Sequence, residues 1–120
     1  MIYTELRNEA DKLWQLACIK RWGRKCTVCN KPFSEIHHFF SRRSHAHLRY
    51  DLENAVPICL DCHTKHHHMG DKTIHQSIIR RRGDVWYNEL KQKSLERKYS
   101  FINANWYQQN IEILQNYLNS

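Results

Sequence analysis

Four of the five cysteines form two pairs with the spacing of a metal site. Cys26 and Cys29 end one Cys-x-x-Cys motif, and Cys59 and Cys62 end a second. Each motif brings two thiolates within reach of one tetrahedral ion, and two motifs complete a closed site with no open position. The sequence therefore predicts a structural Zn²⁺ bound by these four residues, with free or redox-active cysteines as the alternative. Cys18 is expected to be a small buried side chain of a helix.

A second group of residues that could do chemistry lies between the two cysteine motifs and just after them. His37 and His38 are adjacent, Asn54 precedes the second motif, and His63 directly follows it. Imidazoles bind divalent ions, and a neutral imidazole can accept a proton from water near neutral pH. The set predicts an open metal site beside a general base, which suits hydrolysis of a phosphodiester.

The geometry of this group depends on the elements that carry it. His67 lies four residues after His63, so the two share a face if the segment is helical, and His66 is nearly as well placed. Strict alternation in a strand would send His37 and His38 to opposite faces. Both can serve one site only if the end of the strand is twisted or bent.

The positive charge of the chain is concentrated around these motifs. The 120 residues have a formal net charge of +7, and residues 20–50 alone carry eight Lys or Arg against one Glu. This predicts a polyanionic partner, with nucleic acid as the leading candidate. We expect phosphate contacts from Arg24, Lys25, Arg42, Arg43 and Arg49.

Other functional classes are disfavoured. The chain has no long apolar run, so no membrane partner is expected, and its first residues lack the features of a secretory signal. We therefore expect a cytoplasmic protein, in a bacterium or a phage-infected cell, whose cysteines remain reduced.

The hydrophobic pattern predicts an α+β protein with helices on both sides of a compact Cys/His module. The expected elements are a helix over residues 4–21 followed by Gly23, strands near 34–40 and 54–58, a helix from Leu60 to Met69 ended by Gly70, a helix capped by Asp71 and ended by Gly83, a helix capped by Asp84, and a helix near 103–118. Residues 1–70 would form the first helix and the core. Residues 71–120 would form a helical extension that packs on this core or forms a dimer interface.

Residues 26–67 resemble the HNH (His-Me finger, ββα-metal) nuclease family. The shared pattern is CxxC, His-His, Asn, then Pro-x-CxxC-His-xxx-His. The resemblance implies a small zinc-stapled ββα-metal core flanked by the N-terminal helix and the C-terminal helices. It also implies a metal-dependent endonuclease that cleaves DNA.

The resemblance assigns roles to individual residues. His38 would be the general base, and His37 and His63 would bind the catalytic divalent ion, with His67 as a third ligand. Asn54 would hold the loop of the base by hydrogen bonds. Mg²⁺ is the expected ion, with Mn²⁺, Ni²⁺ and Zn²⁺ as alternatives.

A closer resemblance is to the NinG/Rap family of phage recombination nucleases. It is carried by His38-Phe39, by Leu48-Arg49-Tyr50 and by residues 78–83. It implies cleavage of branched DNA such as Holliday junctions, which requires two symmetric cuts and hence a homodimer. The alternatives are an HNH nickase of duplex DNA, acting in phage packaging or restriction, and a zinc-finger module that binds DNA without cutting it.

The remaining histidines have simpler expected roles. His45, His47 and His68 are expected to face solvent, and His75 is a weaker candidate for contact with phosphate. Trp86 and Trp106 are expected to pack in the helical part of the core or in a dimer interface, rather than to stack on bases.

Overall fold

The computed structural model describes residues 3–68, 72–96 and 102–120, with only the backbone of residues 66–68. In chain order the elements are α1 (Tyr3–Trp22), β1 (Glu35–His38), two 3₁₀ helices (Ala46–Leu48 and Leu52–Asn54), β2 (Ala55–Ile58), α2 (Leu60–His68), α3 (Lys72–Arg82), α4 (Asp84–Leu95) and α5 (Ala104–Leu118). The predicted α+β class is confirmed: an N-terminal helix, a β-hairpin with a four-cysteine cluster, and C-terminal helices.

The sheet consists of two short antiparallel strands. Glu35 lies opposite Ile58 and His38 lies opposite Ala55, so the histidine pair occupies the last two positions of β1. Both predicted strands are present, although β1 ends earlier than expected. After His38 the chain leaves the sheet, and the connection to β2 runs through the two 3₁₀ helices.

The first helix forms because its apolar residues recur on one face. Leu6, Ala10, Trp14 and Ala17 are buried, at spacings of three and four residues. This face packs against α5 and against one side of the hairpin. Gly23 ends the helix with a φ of +85°, a conformation that costs glycine little.

A second apolar cluster covers the other side of the hairpin. Val56 and Ile58 of β2 pack there with Ile74 and Ile78 of α3 and with Leu90 of α4. The hairpin is thus held between α1 and α5 on one side and α3 and α4 on the other. All four residues of β2 are buried, whereas β1 is only partly buried.

One helix boundary differs from the sequence prediction. Asp84 was expected to cap α4, but Gly83 occupies the N-cap position and Asp84 is the first helical residue. The carboxylate in the first turn still interacts favourably with the helix dipole. The predicted stop at Gly70 and cap at Asp71 lie outside the described residues.

No helix in the described parts of the chain is long and apolar enough to span a membrane.

Candidate active site and zinc knuckle

The two cysteine motifs are brought together by the loop after α1 and by the junction of β2 with α2. The loop folds back on itself because the Cys26 N–H donates to the carbonyl of Lys31 at 2.6 Å, with Asn30 in the left-handed region (φ 66°) between them. We call residues 24–32 the zinc knuckle. Its Thr27 N–H donates to the carbonyl of Pro57 at 2.9 Å, which ties the knuckle to β2.

The cysteine cluster fits a tetrahedral zinc ion. The sulfur atoms of Cys26, Cys29, Cys59 and Cys62 all lie within 4.8 Å of one another. Four Zn–S bonds of about 2.3 Å would place the sulfurs about 3.8 Å apart. The cluster therefore supports the predicted structural Zn²⁺ site, and Cys18 is fully buried elsewhere in the core, as expected.

One face of β1 carries a group of potential metal ligands. Glu35 and His37 alternate onto the face that meets α2, where the rings of His37 and His63 have centroids 5.8 Å apart. The Nδ1 atom of His63 lies 2.8 Å from Oε1 of Glu35. A carboxylate on Nδ1 orients an imidazole so that Nε2 is the nitrogen that can bind a metal.

The other face of β1 carries His38 and packs against α1. The His38 ring is stacked on the indole of Trp14, with centroids 4.3 Å apart and planes 4° apart. Its Nε2 atom lies 3.0 Å from the carbonyl oxygen of Arg49. Because a carbonyl can only accept, Nε2 carries the proton of the neutral ring, and Nδ1 is the nitrogen that can take one up.

The surroundings of His38 favour the neutral form. Burial lowers the pKa of His38, and the charges of Arg42 and Arg49 lower it further, against the opposing effects of the Arg49 carbonyl and of Asp11. An imidazole that is neutral at neutral pH is the form a general base requires.

The carbonyl that binds His38 is itself held by α1. The guanidinium of Arg49 makes two hydrogen bonds to the Asp11 carboxylate, at 2.9 and 2.7 Å, and the Tyr50 hydroxyl donates to the same carboxylate at 2.7 Å. Burial would raise the pKa of Asp11, but the hydrogen bonds from Arg49 and Tyr50 outweigh it and lower the pKa. Asp11 and Trp14, three residues apart on α1, thus fix the surroundings of His38.

Asn54 closes the loop that follows the histidine pair. Its side chain is fully buried. Its Oδ1 accepts from the Phe40 N–H at 2.8 Å, and its Nδ2 donates to the carbonyls of Phe40 at 3.0 Å and Leu48 at 3.4 Å. These bonds join the two ends of the loop between β1 and the second 3₁₀ helix.

A single cavity brings several of these groups together. It has a volume of about 720 Å³ and is lined by Gln15, Ile36, His37, His38, Phe39, Phe40, Ser41, Arg42 and His75. Although His37 and His38 alternate onto opposite faces of β1, both line this cavity because they lie at the end of the strand. We call it the active-site cavity.

The five basic residues expected to contact DNA lie at three different places in the structure. Arg42 lines the active-site cavity and is exposed, and Arg43 beside it is also exposed. The Arg49 guanidinium is instead engaged by Asp11. Arg24 and Lys25 are exposed on the zinc knuckle, at a separate cleft.

Two histidines differ from expectation, and the side chains of three others lie outside the described residues. His45 and His47 are half-buried rather than solvent-facing, and Nε2 of His47 lies 2.8 Å from the carbonyl of Lys93. The loop containing them folds back onto α4, a contact that local spacing does not reveal. The side chains of His66, His67 and His68 lie outside the described residues, so the distance from His67 to His63 is not part of the described geometry.

Sequence reasoning missed three residues of this site: Glu35, Trp14 and Asp11. Alternation along β1 could have placed Glu35 beside His37. Trp14 and Asp11 act through contacts with residues far along the chain. No local spacing signals such contacts.

Comparison with known proteins identifies the central segment. Residues 26–69 match the family model of HNH endonucleases. No curated protein and no solved structure matches the chain. The matched segment contains both cysteine motifs, the histidine pair, Asn54 and His63. The chain therefore carries an HNH endonuclease domain over residues 26–69, and this family points to a nuclease that hydrolyses phosphodiester bonds.

Proposed function

We propose that this protein is a metal-dependent DNA endonuclease that cleaves phosphodiester bonds in the active-site cavity. One observation carries the proposal: His37, His38 and Arg42 line the same cavity, within the segment that matches the HNH family. A metal-ligand side chain, a base and a cation are the groups needed to hydrolyse a phosphodiester.

In this proposal His38 is the general base. Its Nδ1 atom removes a proton from the attacking water while Nε2–H remains bonded to the Arg49 carbonyl. The lowered pKa keeps the imidazole neutral at neutral pH, ready to accept this proton. The stack on Trp14 prevents the ring from turning away.

His37 and His63 hold the catalytic divalent ion in this proposal, with His67 as the third ligand. The ion, Mg²⁺ in preference to Mn²⁺, Ni²⁺ or Zn²⁺, would act as a Lewis acid and stabilise the negative charge that develops on the phosphate. Glu35 orients His63 through the 2.8 Å contact with Nδ1. We therefore add Glu35 as a positioning residue.

DNA is held next to these groups by the basic loop after β1. Arg42 and Arg43 are exposed there and can bind the phosphates that flank the scissile bond. We assign Arg49 to positioning of His38, because its guanidinium is bonded to Asp11. Asn54 holds this loop closed through hydrogen bonds of its side chain to the backbone of Phe40.

The more specific part of the proposal concerns the DNA structure. Leu48-Arg49-Tyr50 and residues 78–83 resemble phage recombination nucleases, so we propose branched DNA, such as a Holliday junction, as the substrate. Paired cuts on a junction require a homodimer. Five cysteines without a disulfide suit the reducing interior of a bacterial cell, where such junctions arise.

A cleavage panel tests both levels of the proposal. Zinc-loaded protein is incubated with labelled four-way junction, flap, nicked and linear duplex DNA, each with Mg²⁺, Mn²⁺ or no added divalent ion. We expect metal-dependent products and the fastest cleavage on the junction. Equal rates on all substrates would contradict branch specificity but retain the nuclease. Binding without product under every metal would favour a non-catalytic DNA-binding module.

A further inference from the structure

A second cleft lies between the zinc knuckle and the ends of α1 and α3. It has a volume of about 440 Å³ and is lined by Trp22, Gly23, Arg24, Lys25, Cys26, Thr27, Asn30, Arg81 and Arg82. We call it the knuckle cleft. Four of its lining residues are cationic and none is acidic. Three of the cations, Arg24, Lys25 and Arg81, are exposed and can reach a ligand directly.

The fourth cation, Arg82, has no acceptor in the described parts of the chain. Its Nη1 and Nη2 atoms are buried without a hydrogen-bond partner there. The guanidinium lies 3.5 Å from the centroid of the Trp22 ring and 5.0 Å from that of Trp86. Stacking offsets part of the cost of burying a charge, but it supplies no acceptor for the N–H groups.

The electrostatic surroundings of Arg82 are unfavourable without an anion. The pKa of Arg82 is lowered to about 10, because burial and, to a smaller extent, the charge of Arg21 lower it more than Glu53 raises it. The Glu53 carboxylate is also shared, because it pairs with Arg21 at 3.2 Å. The positive charge on the wall of the knuckle cleft is thus only partly offset, by Glu53 and by the net charge of about −2 that four thiolates and one Zn²⁺ would carry beside Cys26.

The knuckle cleft and the active-site cavity lie along the same two helices. Helix α1 contributes Gln15 to the cavity and Trp22 to the cleft, and α3 contributes His75 to the cavity and Arg82 to the cleft. In both helices the two residues are seven positions apart, which returns them to one face of the helix about 10 Å further along the axis. Successive nucleotides of one strand advance about 3.4 Å along the axis of duplex DNA, so for a duplex whose axis runs parallel to these helices the separation would correspond to about three nucleotides.

We infer that the knuckle cleft binds a backbone phosphate of the nucleic acid, about three nucleotides from the phosphate in the active-site cavity. The exposed cations Arg24, Lys25 and Arg81 bind the phosphate oxygens, and the buried Arg82 adds its charge from the wall. The inference rests on the proposed function, since it takes the strand in the active-site cavity as its reference.

The first test measures DNA affinity without added divalent ion, so that no cleavage occurs. The double variant Arg24→Gln/Lys25→Gln is compared with Lys12→Gln/Lys91→Gln, which removes the same charge from exposed positions outside both cavities. Losing one phosphate contact should weaken binding about tenfold near 0.1 M salt and reduce the slope of log K against log salt by about 1. Arg82→Met, which keeps an apolar side chain against Trp22, should reduce the slope similarly. Equal affinities and slopes for the cleft and control variants would overturn the inference.

The second test locates the phosphate. Single neutral methylphosphonate linkages are placed along the strand at increasing distance from the cleaved bond. In the wild-type protein, the linkage about three nucleotides away should weaken binding, and the Arg24→Gln/Lys25→Gln variant should be insensitive to it. Equal sensitivity of both proteins at every position would contradict the inference while leaving nuclease activity intact. If the wild type cleaves no DNA but the cleft variants lose affinity, the proposed function fails and phosphate binding at the cleft stands.

Discussion

Replacing Asn54 by alanine should both destabilise the fold and open the active-site loop. The side chain makes three hydrogen bonds, and its removal leaves the Phe40 N–H and two carbonyls without these partners. At about 0.5–1.5 kcal/mol for each bond, with a weak bond to Leu48, the loss is about 2–4 kcal/mol. Because Arg42 lies in the released loop, cleavage by the folded fraction should also fall, by about tenfold or more for a displacement near 1 Å.

Asn103→Ala is the matched control for this experiment. Asn103 caps α5, where its Oδ1 accepts from the Trp106 N–H at 2.9 Å, and the residue is exposed. The same substitution there should cost about 1 kcal/mol and leave cleavage unchanged. Urea unfolding of zinc-loaded protein gives the two free energies, and initial rates at saturating DNA give the two activities. An Asn54→Ala variant that matches Asn103→Ala in both measurements would refute this explanation of the loop.

Three further predictions concern the helix and the metal that support the site. Asp11→Asn should cost about 1–2 kcal/mol of unfolding free energy at pH 7, a figure reduced for partial exposure of the carboxylate. Because folding lowers the pKa of Asp11, this difference in stability should be present at pH values above the usual carboxyl pKa and should vanish as the pH falls through the folded pKa. Urea unfolding of both proteins across this pH range measures the difference. Trp14→Phe should retain more cleavage than Trp14→Ala at equal DNA affinity, because phenylalanine can still stack on His38; equal rates would remove the stack from the account. Chelating zinc, or replacing Cys59 by serine, should abolish cooperative thermal unfolding followed by circular dichroism, and a transition unchanged after verified metal removal would contradict a structural role for the ion.

The sequence was most informative where contacts are local or where spacing encodes a known geometry. Helix α1 was predicted over residues 4–21 and spans Tyr3–Trp22, because its buried residues repeat at a helical period. The cysteine motifs predicted their own cluster, since each pair is held together by only two intervening residues. Both strands were also predicted from local signals, namely short apolar runs between and beside these motifs.

Contacts between distant residues were not predictable from the sequence. One such contact joins the guanidinium of Arg49 to Asp11, which lies 38 residues earlier in the chain. The half-burial of His47 likewise depends on α4, 46 residues later. Such contacts are decided by how the helices pack around the hairpin, and no local pattern of charge or spacing specifies that packing.

The most direct test of the central claim is the cleavage rate of His38→Ala at saturating DNA with Mg²⁺. His47→Ala is the matched control, because His47 also places Nε2 next to a backbone carbonyl but lies outside the active-site cavity. We expect His38→Ala to lose about 10²- to 10⁴-fold in rate while DNA affinity stays within a few-fold of wild type, and His47→Ala to retain its rate. Cleavage by His38→Ala at the wild-type rate would contradict the assignment of His38 as the base, and with it the proposed mechanism.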